Sequence, residues 1–291
     1  MLSYTFVSAH HAGGCQLISG IRSAVLIDAT LPFCAKETVE NIKNALGGKT
    51  LDVIFLSHSH YDHIAGLPYI RKAFPDVKVY AHPYTVEVLS RPGAVKTMEE
   101  LCIGTEKLFG KGFSCLPPLF SGMGEILPLE DGQTFPFDDG VLQILFTPGH
   151  TKDSISIDFP DYDFIFPSET LGVKRSDGQV QPCFLTGRQD AIDSIERVRA
   201  LGTRRFVFNH TAELCSKEEN EIYLDRALKC ITDSSELVCR LYDEGKDFEG
   251  IFEGYSEVYW SENYRPFWPY EAYRLNSTAA INTILKELRG Q

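Results

Sequence analysis

The chain has 291 residues, 43% of them hydrophobic, enough for one large domain or a domain with an appendage. Its net charge of −12 argues against nucleic acid as a partner, because nucleases need a basic surface, and against binding to an anionic membrane. No apolar run is long enough to span a bilayer, and the first residues lack a secretory signal. We therefore expect a cytoplasmic protein that acts on a small-molecule substrate, alone or as a homodimer.

Short hydrophobic runs and helical patterns alternate along the chain. They predict strands at residues 4–8, 15–18, 24–28, 53–56, 78–81, 132–137, 141–146, 155–159 and 164–166. They predict helices at residues 34–46, 98–109, 191–201, 218–241 and 275–288. The composition of residues 110–124, rich in Gly, Pro and Phe, predicts a long loop. Its apolar side chains either wall a pocket or pack on the sheet. Residues 245–254 predict a glycine-rich break. These patterns indicate an α/β protein.

The most informative segment is Ser-His-Ser-His-Tyr-Asp-His-Ile-Ala-Gly, which follows the hydrophobic run at residues 53–56. It contains His58, His60, Asp62 and His63 within six residues. In extended backbone His58 and His60 point the same way, so they can bind one metal ion together. Asp62 and His63 follow where the chain turns, so they can face a second ion. Imidazole and carboxylate suit zinc or iron. A solvated polar loop is the alternative, but this spacing is rare in one.

H-x-H-x-D-H after a hydrophobic strand resembles the metallo-β-lactamase-fold superfamily, and three later segments match that superfamily in order. They are Thr-Pro-Gly-His150-Thr, the strand that leads to Glu169, and the strand that ends at His210. The resemblance implies an α/β fold of the four-layer αββα type, forming a catalytic domain over residues 1–215. It also implies two divalent metal ions, with zinc favoured and iron or manganese as alternatives. The implied ligands are His58, His60 and His150 for one ion and Asp62, His63 and His210 for the other.

Two carboxylates need separate treatment. Glu169 stands where the superfamily usually has an aspartate that bridges the two ions. Because glutamate is one methylene longer, Glu169 can bridge the ions, bind one of them or act through water, and a surface position is the alternative. Asp28 matches an aspartate that the superfamily keeps near the metal loop, and the resemblance implies that it orients this loop rather than binding metal.

The remaining histidines and the cysteines carry weaker signals. His10 and His11 can line the mouth of a pocket, and His82 is expected not to be a ligand. The eight cysteines have irregular spacings that favour reduced thiols. None of them lies in the motif segments, so thiolate ligands are not indicated, although Cys15 and Cys183 are candidates for exposure to a pocket.

Residues 216–291 lie beyond the matched segments and predict a helical C-terminal extension. This extension resembles the C-terminal helices of the quinolone-signal response protein, a superfamily member with thioesterase-type activity, in which the extra helices cover the metal cleft. The resemblance implies a lid whose aromatic side chains restrict substrate size. The alternatives are helices that pack on the back of the sandwich or form a dimer interface. The aromatic residues concerned are Tyr259, Trp260, Trp268 and Tyr270.

The predicted function is hydrolysis of small thioesters or esters. A divalent metal lowers the pKa of bound water, so a metal-bound hydroxide can serve as nucleophile, and Asp62 is the predicted catalytic residue that orients it. A phosphodiesterase is the first alternative. A diiron oxidoreductase of the same fold is another, but such proteins resemble H-x-E-x-D, whereas this chain has His60 at the second ligand position. A signalling protein with an occluded metal cleft is the third.

Overall fold

Two β-sheets pack face to face in the structure, a computed structural model that describes residues 2–175, 178–202, 204–210, 214–265 and 268–290. The strands of the first sheet, in order across it, are β1 (Ser3–Phe6), β2 (Gln16–Ser19), β3 (Ala24–Ile27), β4 (Val53–Leu56), β5 (Lys78–Ala81) and β6 (Leu127–Pro128). β1 to β3 pair antiparallel, and β3 to β6 pair parallel. The carboxyl ends of the parallel strands therefore meet at one edge, where α/β folds commonly place their sites.

The second sheet is mostly antiparallel. The remaining strands of the described chain are β7 (Thr134–Phe137), β8 (Gly140–Phe146), β9 (Ile155–Phe159), β10 (Phe164–Phe166), β11 (Val173–Lys174), β12 (Val180–Gln181), β13 (Arg205–Val207) and β14 (Leu214–Cys215). All except β11 and β12 form the second sheet, in which spatial order follows chain order. Its one parallel pair among the described strands is β10 with β13. β11 and β12 form a separate hairpin.

Helices cover the outer faces of both sheets. In the described residues they are α1 (Ala35–Leu46), α2 (Tyr61–Ile64), α3 (Leu67–Ala73), α4 (Pro83–Leu89), α5 (Pro92–Phe109), α6 (Arg188–Ala200), α7 (Lys217–Asp243), α8 (Phe248–Tyr259) and α9 (Tyr270–Arg289). Helices α1, α3 and α5 pack on the first sheet, and α6 to α9 share one core with the second. No helix in the described ranges combines the length and apolarity that a membrane crossing needs.

Three hydrophobic cores separate these four layers. The inner core lies between the sheets and includes Ile27, Phe55, Ile157 and Phe166. Neighbouring residues of the same strands point the opposite way, because side chains alternate along a strand, and they pack against the outer helices. Central strands such as β3, β4 and β10 are therefore buried on both faces, which explains why they read as continuous apolar runs. The order helix, sheet, sheet, helix confirms the predicted four-layer αββα sandwich with a C-terminal helical region.

The predicted loop at residues 110–124 packs rather than walls a pocket. It contains a short 3-10 helix, Phe120–Gly122, and the side chains of Phe120 and Met123 are buried in the core between the first sheet and its helices. Phe113 packs against the same core. Of the two alternatives left open by the sequence, the structure supports packing.

The predicted glycine-rich break at residues 245–254 is shorter in the structure, because α7 ends at Asp243 and α8 already begins at Phe248. Asp247 caps this helix by accepting a hydrogen bond from the backbone N–H of Gly250. Ile251 and Tyr255 lie on one buried face, where they join the core shared with α7 and α9. A Cβ on Gly254 would lie 2.8 Å from Leu241 Cδ1, so the glycine allows α7 and α8 to approach closely. Tertiary packing thus overrides the local helix-breaking tendency of glycine.

Alanine substitutions at two helical glycines test this explanation. Gly104 is exposed on α5 and has nothing within 4 Å of an added Cβ. Gly104→Ala should raise the free energy of unfolding by about 0.5–1 kcal/mol through helix propensity. Gly254→Ala should gain less or lose stability, because its Cβ meets Leu241. Chemical denaturation measures both, and equal stabilisation would show that the close approach of α7 and α8 is not needed.

Candidate metal centre

The histidine motif lies in the turn that follows β4. The strand ends at Leu56 inside the sheet, and His58 and His60 follow at its carboxyl end. The chain then enters α2, which carries Asp62 and His63. His58 and His63 are fully buried, whereas His60 and Asp62 remain partly exposed. The predicted strand-to-helix turn therefore presents four polar side chains at one sheet edge.

Six of the predicted metal ligands form two groups at this edge. We call them the first trio (His58, His60 and His150) and the second trio (Asp62, His63 and His210). Within each trio, one potential ligand atom from every residue lies within 4.8 Å of the others. Four segments distant in sequence supply these six residues and Glu169, so the fold assembles the set that the motifs suggested. Their individual roles as ligands stay predictions.

Glu169 lies between the two trios. Its Oε1 is 3.1 Å from His63 Nε2 and 2.8 Å from His210 Nε2, both in the second trio. Its Oε2 is 3.2 Å from His150 Nε2, in the first trio. The side chain is 10% exposed, so the alternative of a surface glutamate is wrong. Each carboxylate oxygen faces one trio, which is the position that a bridging ligand requires.

Several atoms of the cluster have no hydrogen-bond partner in the described structure. His58 Nε2 is buried without one, and His63 Nε2 and Glu169 Oε1, which lie 3.1 Å apart, are buried without a well-aligned one. Buried polar atoms left unsatisfied are costly, and the same residues belong to the groups that could hold a metal ion. Imidazole nitrogens with carboxylate oxygens are a donor set that suits zinc, iron or manganese. The residues therefore fit a pair of divalent ions.

Asp28 forms hydrogen bonds with the loop that carries the histidine motif. Its Oδ1 accepts a hydrogen bond from Ser57 N at 2.7 Å, and its Oδ2 accepts one from Ser57 Oγ at 2.8 Å. Oδ2 also lies 2.8 Å from His63 Nδ1 and accepts a hydrogen bond from Asn209 Nδ2 at 3.1 Å. Because Nδ1 of His63 is occupied in this way, its Nε2 is left to face the second trio. Asp28 is thus placed to orient the loop, as the sequence predicted.

The rings of the first trio are held in a similar manner. His58 Nδ1 lies 3.0 Å from Ser57 Oγ. His150 Nδ1 lies 2.7 Å from the carbonyl oxygen of Cys183, and the backbone N–H of His150 donates to Thr170 Oγ1. These contacts leave the Nε2 atoms of His58 and His150 directed towards the cluster. Such outer contacts are known to fix the ring orientation of metal-binding histidines.

Burial and charge set the protonation of the cluster. Burial, reinforced by nearby imidazoles, lowers the pKa of His58 well below its ordinary value and that of His150 to about 4. Burial alone would raise the pKa of Glu169, but the charges of His63 and His210 outweigh it and hold this pKa well below its ordinary value. Near neutral pH, His58 and His150 are therefore neutral and Glu169 is ionised, which are the forms that bind metal. For His63 and His210, burial would lower the pKa, but nearby carboxylates outweigh it and raise it, so both must lose a proton when they bind metal.

Sequence reasoning missed Asn209 at this site and named Cys183 only as a candidate for exposure to a pocket, not as a neighbour of the ligands. Asn209 donates to Asp28 and its Nδ2 lies 2.9 Å from His63 Nδ1, and its position next to His210 was the signal that could have found it. Cys183 offers a sulfur within 4.8 Å of ligand atoms of His150 and Glu169. No motif marks Cys183 because it lies between two recognised segments. Burial, with the charge of Glu169, raises the pKa of its thiol well above the ordinary value.

A cavity of about 560 Å³ opens above the cluster. Its floor includes His60, Asp62, Glu169 and His210. One wall comes from the C-terminal extension and contains Tyr264, Trp268, Pro269, Ala272, Leu275 and Asn276. Another comes from the hairpin β11–β12 and its turn, with Lys174, Arg175, Gly178 and Gln181. The metal cluster therefore lies at the base of a pocket of small-molecule size.

The other candidates from the sequence divide between the cavity and the core. His11 and Cys183 line the cavity, whereas His10 packs on Phe109 with ring centroids 4.9 Å apart. Cys15 is fully buried. His82 caps α4 by accepting a hydrogen bond from the backbone N–H of Tyr84.

The two tryptophans of the extension also differ. Trp268 lines the cavity, but Trp260 packs into the helical core, with its ring 4.7 Å from that of Tyr273. The expectation that both tryptophans wall the pocket therefore needs correction for Trp260, because its ring packs against those of Tyr270 and Tyr273.

A family model matches this arrangement of motifs. The model of the metallo-beta-lactamase superfamily covers residues 17–210, two thirds of the chain. The chain belongs to the metallo-beta-lactamase superfamily. Members of this superfamily typically bind two divalent metal ions, and the two trios with Glu169 could hold such a pair. The family resemblance predicted from the histidine motif is thereby confirmed, while the likeness of the extension to the quinolone-signal response protein stays a prediction.

Individual relatives agree with the superfamily. The chain is 35% identical to the probable metallo-hydrolase YflN of Bacillus subtilis over 154 residues, which are 49% of this chain and 53% of that protein. It is 25% identical to a hydroxyacylglutathione hydrolase of Thermosynechococcus vestitus over 205 residues, 68% of this chain and 64% of the relative. The matches thus span between about half and two thirds of these relatives' length. A metallo-beta-lactamase family protein from Thermus thermophilus shares the fold, with TM-score 0.63 at 18% identity over 94% of this chain and 88% of that one.

Asp28→Asn tests the orienting contacts. The amide keeps the shape of the side chain but removes the charge that faces His63 and Ser57. Metal affinity should fall by roughly 10- to 100-fold, as for other outer partners of metal-binding histidines. Titration of the metal-free protein with zinc measures this.

The matched control is Asp52→Asn. Asp52 also accepts a backbone hydrogen bond in the first sheet, from Ala24 N, but it is exposed and remote from the cluster. It should bind zinc like the unmodified protein. Unchanged zinc affinity in Asp28→Asn would show that the Asp28 charge does not support the site.

Proposed function

We propose that the protein is a dinuclear metal-dependent hydrolase of small thioesters or esters. The observation that carries this proposal is the position of the two trios and Glu169 at the base of one cavity of about 560 Å³. A cluster that could hold metal, open to a pocket of this size, suits attack on a small bound substrate. The same cavity argues against the alternative of an occluded cleft with only a signalling role.

Thioesters are preferred among the substrates because of the relatives. Several curated relatives are named hydroxyacylglutathione hydrolase, and a hydroxyacylglutathione is a thioester. In thioester hydrolysis water adds its oxygen to the acyl carbon, the carbon–sulfur bond breaks, and the sulfur leaves as a thiol with a proton from water. The products are a carboxylate and a thiol, so no further reactant is needed.

The geometry supports a division of roles among these residues. The first trio would hold one divalent ion, the second trio the other, and Glu169 would contact both. Such ions, when bound, supply Lewis acidity and an activated water as nucleophile. Asp62 is the carboxylate of the second trio and lines the cavity, with its Oδ2 3.4 Å from His63 Nε2 and 3.7 Å from His210 Nε2. Its carboxylate is therefore placed to accept a proton from water and to orient it.

Two alternative reactions, oxidoreduction and phosphodiester hydrolysis, can be distinguished from thioester hydrolysis. A diiron oxidoreductase is disfavoured because His60, an imidazole, occupies the second ligand position in the first trio. Phosphodiester hydrolysis uses a similar centre, so a phosphodiester belongs in any substrate panel as a comparison. Turnover of phosphodiesters but not of thioesters by the zinc-loaded or iron-loaded protein would overturn the preferred function.

Asp62→Asn tests the proposed catalytic role. The zinc-loaded variant should hydrolyse thioesters roughly 100- to 10,000-fold more slowly, the range for loss of a general base. It should retain metal in the first trio, to which Asp62 does not belong. Elemental analysis and steady-state kinetics measure the two effects, with Asp76→Asn on the exposed surface as the control. Equal loss of both ions, or undiminished turnover, would contradict this role.

The extension at residues 216–291 is proposed to restrict substrate size. Trp268 lies on the cavity wall next to Pro269 and Ala272, whereas Trp260 lies in the helical core. Trp268→Ala should raise the preference for bulky over small acyl groups by about tenfold, because space opens beside the reacting carbonyl. Trp260→Ala is the matched control, which should lower the melting temperature and leave the preference unchanged. A Trp268→Ala protein that melts normally with an unaltered preference would contradict a lid.

A further inference from the structure

A short segment beside the metal centre contacts the loop that carries His150. We call residues 182–187 the linker, because they connect β12 to α6. The carbonyl oxygen of Cys183, in the linker, lies 2.7 Å from His150 Nδ1. The carbonyl oxygen of Gly149 accepts a hydrogen bond from the backbone N–H of Leu185 at 2.9 Å. The linker therefore contacts both the ring of His150 and the backbone next to it.

The loop that carries His150 also packs directly on α6. Gly149 has a φ of 136°, and a Cβ added to it would lie 2.7 Å from both Cα and Cβ of Ala191. Further along α6, Ser194 Oγ donates a hydrogen bond to the carbonyl oxygen of Pro148 at 2.8 Å. Because close-packed interiors transmit displacements, a shift at the start of α6 would move the backbone that carries His150.

The first turn of α6 is capped by a residue of another helix. The N-cap residue of α6 is Gly187, which has no side chain to accept a hydrogen bond. Instead, Glu287 of α9 accepts from the backbone N–H of Arg188 with Oε1, at 2.8 Å, and from that of Gln189 with Oε2, at 3.2 Å. The first N–H groups of a helix lack partners within it, and a negative charge there also suits the helix dipole. Glu287 therefore supplies the cap that α6 lacks in its own sequence.

A second contact joins α9 to the linker itself. Thr283 Oγ1 donates a hydrogen bond to the carbonyl oxygen of Leu185 at 2.8 Å. Thr283 and Glu287 are four residues apart, so they lie on the same face of α9. The helix is anchored by Ile281 and Ile284, which are fully buried in the core that α6 to α9 share. One face of an anchored helix therefore holds both the linker and the start of α6.

We propose that α9 supports the first metal site, with Thr283 and Glu287 as positioning residues for His150. Their contacts lead through the linker and the first turn of α6 to the ring and the backbone of His150. The second trio is oriented through Asp28 instead, so it should not depend on α9. The C-terminal extension thus shapes the metal centre as well as the cavity wall, whichever substrate the centre acts on.

Titration of the metal-free full-length protein with zinc tests the proposal. Glu287→Ala should weaken zinc binding at the first trio by about fivefold, the factor by which loss of a helix cap typically changes an equilibrium. Thr283→Val keeps the shape of the side chain but removes the donor, and it should weaken the same step by about threefold. Glu287→Gln keeps an acceptor oxygen and should retain most of the affinity. Zinc binding at the second trio should be unchanged in all three variants.

Cadmium NMR of the cadmium-loaded protein assigns the effect to one site. The two trios should give separate resonances, because one offers three nitrogen atoms and the other two nitrogen atoms and an oxygen. Asp62→Asn identifies the resonance of the second trio, to which alone Asp62 belongs. Glu287→Ala and Thr283→Val should move the resonance of the first trio and leave the other in place. If α9 only packed against the domain, neither resonance would move.

The matched control is Asp243→Asn. Asp243 of α7 forms an ion pair with Arg289 of α9 at 2.7 Å, so the change loosens α9 without touching the linker, and both sites should be unaffected. Unchanged zinc affinity and an unmoved cadmium resonance at the first trio, in variants that melt normally, would overturn the proposal, as would equal changes at both trios. If Glu287→Ala does not fold, Thr283→Val alone gives the same two outcomes. Neither measurement uses turnover, so the result does not depend on the proposed reaction.

Discussion

The metal centre depends on one buried carboxylate, that of Asp28. The residue follows β3 in a left-handed backbone conformation, with φ of 65°, and is fully buried. A buried charge is tolerated only when it is paired and hydrogen-bonded, and Asp28 contacts Ser57, His63 and Asn209. Ser57 follows β4 in the first sheet, and Asn209 follows β13 in the second. The same carboxylate therefore fixes the ends of strands from both sheets, and with them residues of the second trio.

Glu169 is a second buried carboxylate that contacts several partners, and it lines the cavity. Its oxygens face imidazoles of both trios, and the charges of His63 and His210 in the second trio keep it ionised despite burial. The cluster thus combines groups that would each be costly to bury alone, and a pair of divalent ions suits the atoms that remain unsatisfied. The superfamily sandwich supplies this constant centre, whereas the hairpin β11–β12 and the C-terminal helices supply the walls. Function on a shared fold commonly varies in such additions.

Much of the fold and of the centre could be predicted from short windows of sequence. Strands β4, β5, β9 and β10 have the bounds that the sequence indicated, because each is a short run of strand-forming residues bounded by turn residues. The motif from His58 to His63 holds four of the seven predicted ligands within six residues. The positions of His150, Glu169 and His210 required the family resemblance, since each is a single residue at the end of a strand.

By itself the sequence determined the strand and helix pattern, the histidine motif and the acidic charge, because these are properties of neighbouring residues. Only the tertiary structure decided that α8 continues through Gly254, because the stabilising contact with Leu241 lies on another helix. It alone placed Cys183 beside the cluster and separated Trp268 on the cavity wall from Trp260 in the core. These outcomes depend on how the two sheets and the helices α6 to α9 stack, and such long-range packing leaves no periodic signal in a short segment.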